Sequence, residues 1–146
     1  MPLLSRFTLI IGLMTALVFA VPASATGTRI VDRDTANMAT YHFERAERAM
    51  AKAEEIMAKA AGDEGKRASL TKKAQKQYKK AAALYERALR VSKTYPGARE
   101  NLGIALLKSG NAKKAREVLT QVSERNPDDE TINGYLAEAE ALLGSE

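Results

Sequence analysis

The chain has 146 residues, 45% of them hydrophobic, 28% charged and 5% aromatic, with a formal net charge of +5 and no cysteine. That composition describes a soluble helical protein rather than a disordered or membrane-embedded one, and the length supports one modest domain. Without cysteine there is no disulfide framework, no thiolate metal site and no lipid-attached cysteine.

Residues 1–25 read as a signal peptide. Arg6 precedes an apolar run from Phe7 to Val21, and Ala23-Ser24-Ala25 offers the small-x-small pattern of a cleavage site. Cleavage after Ala25 leaves 121 residues with no transmembrane span. The other reading, an uncleaved anchor, has an apolar run shorter than the ~20 residues a spanning helix needs. Export, into a bacterial periplasm or otherwise to the outside, is the expectation. Residues 26–35 are polar, mixed in charge and without sustained period, and read as a flexible lead-in.

From Ala36 the pattern turns helical. Ala39, Phe43, Ala46, Met50, Ala53, Met57 and Ala60 alternate steps of four and three, one stripe along a first helix over 36–61. Asp34 or Thr35 would cap its start, Gly62 would end it, and Glu44–Arg48 and Glu55–Lys59 are spaced as ion pairs. Methionines 38, 50 and 57 sit at core spacing. A second helix from about Lys66 to Lys93 has the seam Leu70, Ala74, Gln77, Ala81, Leu84, Ala88 and Val91, widened by Tyr78 and Tyr85. Two antiparallel helices packed along alanine-rich stripes follow, so 36–95 reads as one long hairpin. Tyr95-Pro96-Gly97 breaks the chain.

Residues 96–129 read as helix, turn, helix: Ala98 to Ser109, then Ala112 to Arg125, with Gly110 able to take the left-handed conformation between them. Asn126-Pro127-Asp128-Asp129 ends the pair and caps a last helix, Glu130 to Leu143, so 130–146 is a capping helix and tail. No segment alternates with period two. The fold class is all-α.

Leu102-Gly103, Leu106, Gly110, Ala115, Leu119, Val122 and Pro127 together resemble a unit of the tetratricopeptide repeat proteins, ~34 residues of helix-turn-helix with small residues where the helices cross. Arg99 and Ala112 stand where that family often has tryptophan and tyrosine. One period on, Leu136-Ala137 and Gly144 match Leu102-Gly103 and Gly110; one period earlier, Tyr78, Ala81, Tyr85, Ala88 and Leu89 look like the second helix of an atypical unit with overlong helices. The resemblance covers about 75–144 well and 36–74 in outline. It implies a short antiparallel solenoid whose first helices line a concave groove for a peptide or protein. The groove candidates are Glu100, Asn101, Ile104, Leu107 and Lys108, with Gly134 and Glu138 from the last helix. Glu100 and Ile104 depart from the family's clamp for a C-terminal carboxylate, so no such clamp is carried over.

Charge is uneven. Residues 66–93 hold ten basic residues against Glu86 alone, and residues 124–146 hold seven acids against one base. Lys66, Lys73, Lys76, Lys80, Arg87 and Arg90 follow heptad spacing on one face of the second helix. The plain reading is a solvated face. The functional one is an anionic partner: an acidic protein, an anionic envelope polymer or a lipid surface, with nucleic acid last because the helix offers no outward stacking platform. A homotypic contact, acidic end on basic face, is a third.

Catalytic signals are weak. His42 is the single histidine, no cysteine accompanies it, and neither a zinc site nor a cofactor site is called for. Serines 69, 92, 109 and 123 lack a hydrolase elbow, and Glu54-Glu55 and Asp128-Asp129-Glu130 read as helix surface and helix cap. The sequence therefore points to a non-catalytic interaction protein.

Overall fold

The computed structural model describes residues 24–145, with side chains from Arg33 onward. Five helices follow in order: α1 Ser24–Gly62, α2 Arg67–Val91, α3 Ala98–Lys108, α4 Ala112–Ser123 and α5 Glu130–Gly144, with a 3-10 turn at Glu64–Lys66 after α1. No strand occurs among the described residues. Each helix packs on the next, α3 also touches α5, and the result is an all-α stack of antiparallel helix pairs closed by α5. The expected leader, 1–25, lies outside the described residues except for its last two positions.

The helix ends follow local chemistry. Asp63, Asn111 and Asp129 each accept a backbone N–H three residues on, at 3.1, 3.3 and 3.1 Å, capping the 3-10 turn, α4 and α5. Gly97 (φ 72°) and Gly110 (φ 88°) occupy the left-handed region at the starts and ends of α3, where a side chain would be strained.

Helix α1 begins at Ser24, not at 36, so the expected lead-in 26–35 is part of it. Asp34 and Thr35 consequently lie inside α1 and not at its start. Once a helix is nucleated on the packed seam, propagation adds one hydrogen bond per residue, and no proline interrupts 26–35.

The α1–α2 seam is alanine. Ala39, Ala46, Ala53 and Ala60 on α1 and Ala74, Ala81 and Ala88 on α2, each set at seven-residue spacing, are 2% exposed or less. Ala49 and Ile56 join them on one flank of the stripe, whereas Met38 and Met57 are 55% and 36% exposed, against the core role expected of them. Seven residues slightly underrun two full turns, so positions one step off the alanine line fall on opposite flanks; α2 closes over Ile56 and leaves Met57 open. Phe43 is half-buried and packs edge-on to Tyr85, ring centroids 5.5 Å apart, and against Tyr95 at 5.0 Å. Tyr95 donates to Thr40 Oγ1 at 3.1 Å, tying the α2–α3 turn to α1.

Helix α3 is the most enclosed. Ala98, Leu102, Gly103, Ala105, Leu106 and Leu107 are all buried because α2, α4 and α5 surround it. Gly103 lies where α3 and α4 cross: a Cβ there would stand 2.6 Å from Leu119 Cδ2, and Leu119 is fully buried and has nowhere to move. Arg99 bridges α3 to α4 and to the turn after α2, donating to Gln121 Oε1 at 2.9 Å and to the Lys93 carbonyl at 3.3 Å.

Gly103→Ala is therefore expected to destabilise the fold by about 1–3 kcal/mol through overpacking. Urea unfolding followed by circular dichroism checks it, with a lowered midpoint and unchanged native helix content as the outcome.

Candidate functional site

Helices α1, α3 and α5 are the first members of successive pairs, and the side of α1 that faces α3 carries Glu47 and Glu54. The Tyr85 hydroxyl donates to Glu47 Oε1, and Asn101 Nδ2 donates to the same oxygen at 2.9 Å. One heptad along α1, Glu54 Oε1 accepts from Lys108 Nζ at 2.7 Å and its carboxylate also interacts with the Tyr78 hydroxyl. The two clusters are copies of each other. Glu47 and Glu54, Tyr85 and Tyr78, and Asn101 and Lys108 are each seven residues apart, running forward in α1 and α3 and backward in the antiparallel α2. Two carboxylates thus brace three helices.

The electrostatics fit this arrangement. The Lys108 ammonium holds the Glu54 carboxyl below the usual carboxylate range against an opposing contribution from burial, and the Tyr78 hydroxyl adds to the lowering. Burial pushes both the Tyr78 and the Tyr85 phenols well up, and the adjoining carboxylate adds to each. Both tyrosines remain donors at any ordinary pH. Lys108 Nζ also lies 5.7 Å from the Tyr78 ring centroid, a cation–π contact.

Of the residues expected on the groove wall, Asn101, Ile104 and Lys108 come together, but only Ile104 is without a polar engagement. Leu107 is 4% exposed and belongs to the core, within the one buried cluster that α3 shares with its neighbouring helices, so it does not line a groove. Glu100 stands at the N-terminal end of α3 and lines a separate depression of about 190 Å3 with Tyr95, Pro96, Arg99, Val122 and Arg125. Gly134 and Glu138 are exposed on α5, with nothing within 4 Å of the Gly134 Cβ position. Beside the Glu54 brace lies a recess of about 250 Å3 lined by Glu54, Met57, Thr71, Gln75, Tyr78 and Lys108.

Sequence reasoning missed Glu47 and placed Glu54 on the plain helix surface. The available signal was the repetition of glutamate, tyrosine and a polar residue at one heptad in three different helices. Lys73, Lys76, Lys80, Arg87 and Arg90 of α2 and Lys66 in the turn before it are all exposed, and among the described residues only Lys66 of these has an ion partner, Asp63 at 3.1 Å. His42 is half-buried beside Tyr41, and its Nδ1 has no hydrogen-bond partner. Among the described residues no three carboxylate, histidine or cysteine groups gather as metal ligands, and no helix is long and apolar enough to cross a membrane.

Residues 73–139, from the second turn of α2 into α5, match the family model of the tetratricopeptide repeat. No curated protein and no solved structure matches the chain.

Two outcomes follow from the braces. Tyr85→Phe removes a buried donor from Glu47 and is expected to cost about 1 kcal/mol in urea unfolding. Glu54 has a lowered folded pKa, so its contribution is present above the ordinary carboxylate pKa and is lost as pH falls through that value toward the folded one. Lys108→Gln should therefore flatten the acid limb of a stability-against-pH curve; an unchanged limb would contradict the brace.

Proposed function

The chain is a tetratricopeptide repeat protein over residues 73–139, and from that premise we propose that it is a non-catalytic adaptor, exported from the cytoplasm, that holds a peptide or protein segment in the groove between α1, α3 and α5. The single observation that carries the reading is the pair of braces. They tie α1 to α3 one heptad apart, with the half-buried Ile104 between Asn101 and Lys108 along α3, and so support a preformed groove wall. A preformed groove lowers the ordering cost of binding. Its walls supply apolar surface from Ile104 and Met57 and carboxylates from Glu47, Glu54 and Glu138 against the single ammonium of Lys108. The segment that suits it has an apolar anchor flanked by basic residues. Export is supported by Arg6, the apolar run from Phe7 to Val21 and Ala23-Ser24-Ala25.

A second reading rests on a different observation, the row of exposed cations Lys73, Lys76, Lys80, Arg87 and Arg90 along α2, none with an ion partner among the described residues. An anionic envelope component would suit that face.

Salt and position separate the two. A photocrosslinking phenylalanine analogue at Ile104, introduced into the chain in its own compartment, is expected to give a discrete adduct with a protein or peptide. The same group at Glu117 on α4 is expected to give none. Ile104→Glu should weaken capture of the identified partner by at least about tenfold, the effect of truncating or charging a central anchor. Adducts from Glu117 alone would contradict the groove.

A further inference from the structure

Helix α1 is electrostatically two-sided. Glu47 and Glu54 share the flank that faces the groove, while Tyr41, Arg45, Arg48 and Lys52, spaced by four, three and four, share the flank turned away from it. Across from this second flank α2 presents Gln77 and Lys80. These six residues line an open cleft of about 370 Å3 between the two helices. Four cations face it and no carboxylate lines it.

None of the four cations is neutralised by an ion pair among the described residues, and Arg45 is also held in place. Arg45 Nη1 donates to the Tyr41 hydroxyl at 2.9 Å, and its guanidinium carbon lies 5.3 Å from the Tyr41 ring centroid, so the group is oriented by a partner that carries no carboxylate. Arg48, Lys52 and Lys80 form no ion pair among the described residues. The Glu44–Arg48 pair that the helical spacing suggests is not made, and Glu55, which interacts electrostatically with Lys52, is taken up by its ion pair with Lys59. Lys76 and Lys73 stand one and two turns before Lys80 on α2 and extend the positive potential along the cleft.

Like charges on two walls of one cleft repel, and an anion between them relieves that repulsion. Two guanidinium forks and two ammonium groups exceed what one carboxylate would satisfy; they match a group with several acceptor oxygens and at least two negative charges. We propose that the α1–α2 cleft is a binding site for a phosphate-bearing ligand, a phosphomonoester or diphosphate, held by Arg45, Arg48, Lys52 and Lys80. The site narrows the basic-face reading from the whole of α2 to one cleft that needs α1, and it is independent of the groove. A soluble diphosphate and a phosphomonoester lipid headgroup present the same chemistry.

Calorimetric titration of the full chain with sodium pyrophosphate at low ionic strength tests it. One saturable site is expected, weakened about tenfold by Arg48→Gln and by Lys52→Gln, the range for losing a hydrogen bond between charged groups. Lys72→Gln, exposed on α2 away from the cleft, should leave it within about twofold. Circular dichroism of each variant confirms the fold. Absence of a saturable site, or equal losses from Lys72→Gln and Arg48→Gln, overturns the proposal. Loss with the Lys73→Gln, Lys76→Gln double variant but not with Arg48→Gln or Lys52→Gln also overturns it, while leaving the wider basic face standing. Sedimentation with phosphatidylcholine vesicles carrying phosphatidic acid identifies the source. Binding that pyrophosphate competes away and that Arg48→Gln abolishes supports the site with a lipid headgroup as its ligand. Vesicle-independent binding of pyrophosphate supports it with a soluble one. Vesicle binding that ignores both pyrophosphate and Arg48→Gln overturns it.

Discussion

The alanine seam between α1 and α2 is the constraint on which the rest depends. Seven alanines in two heptad rows, Ala39, Ala46, Ala53 and Ala60 against Ala74, Ala81 and Ala88, let two long helices approach closely. A methyl group buries little apolar area, on the order of 1 kcal/mol each, so the seam brings the helices together without holding them strongly. What it gains is reach. With the backbones close, Phe43 can insert beside Tyr85 and Tyr95, and short glutamate side chains on α1 can bridge to tyrosines on α2 and to Asn101 and Lys108 on α3.

That closeness also sorts charge. Carboxylates on one flank of α1 meet donors from α2 and α3 and become structural, while Arg45, Arg48 and Lys52 on the other flank find only Lys80 and Gln77 across from them. The hairpin thus carries carboxylates tied to α3 on one side of α1 and a cationic cleft on the other. The matched repeat segment, 73–139, does not include α1. Both surfaces nonetheless need it, so whatever is particular to this protein rests on the helix that the repeat pattern does not reach.

Much of this was legible in the residues. Helix boundaries followed from Gly62, Pro96, Gly110 and Pro127, whose effects are local, and the capping role of Asp129 needed no tertiary information. Burial was harder where it depends on a third element. Leu107 reads as a groove residue in a pair of helices and becomes core in the cluster that α3 shares with the helices around it; Met57 reads as core and becomes rim because the alanine rows set the contact line to one side of it. The start of α1 was hidden because residues 26–35 contain neither a period to propose a helix nor a proline to forbid one. The braces were the least visible. Glutamate and lysine on a helix surface are ordinary, and only the coincidence of one heptad in α1, α2 and α3 marks Glu47 and Glu54 as partners of a packed neighbour.

The central claim is that the seam and the two carboxylate braces hold α1 in one fixed position against the α3–α4 pair. The natural chain has no cysteine, so spin labels at Ala58→Cys on α1 and Arg116→Cys on α4, both exposed positions, report that position directly. Pulsed electron–electron distance measurement should give one narrow distribution, and adding Glu47→Gln with Glu54→Gln should broaden it. A broad distribution before that change, or a narrow one that the change leaves untouched, would contradict the claim.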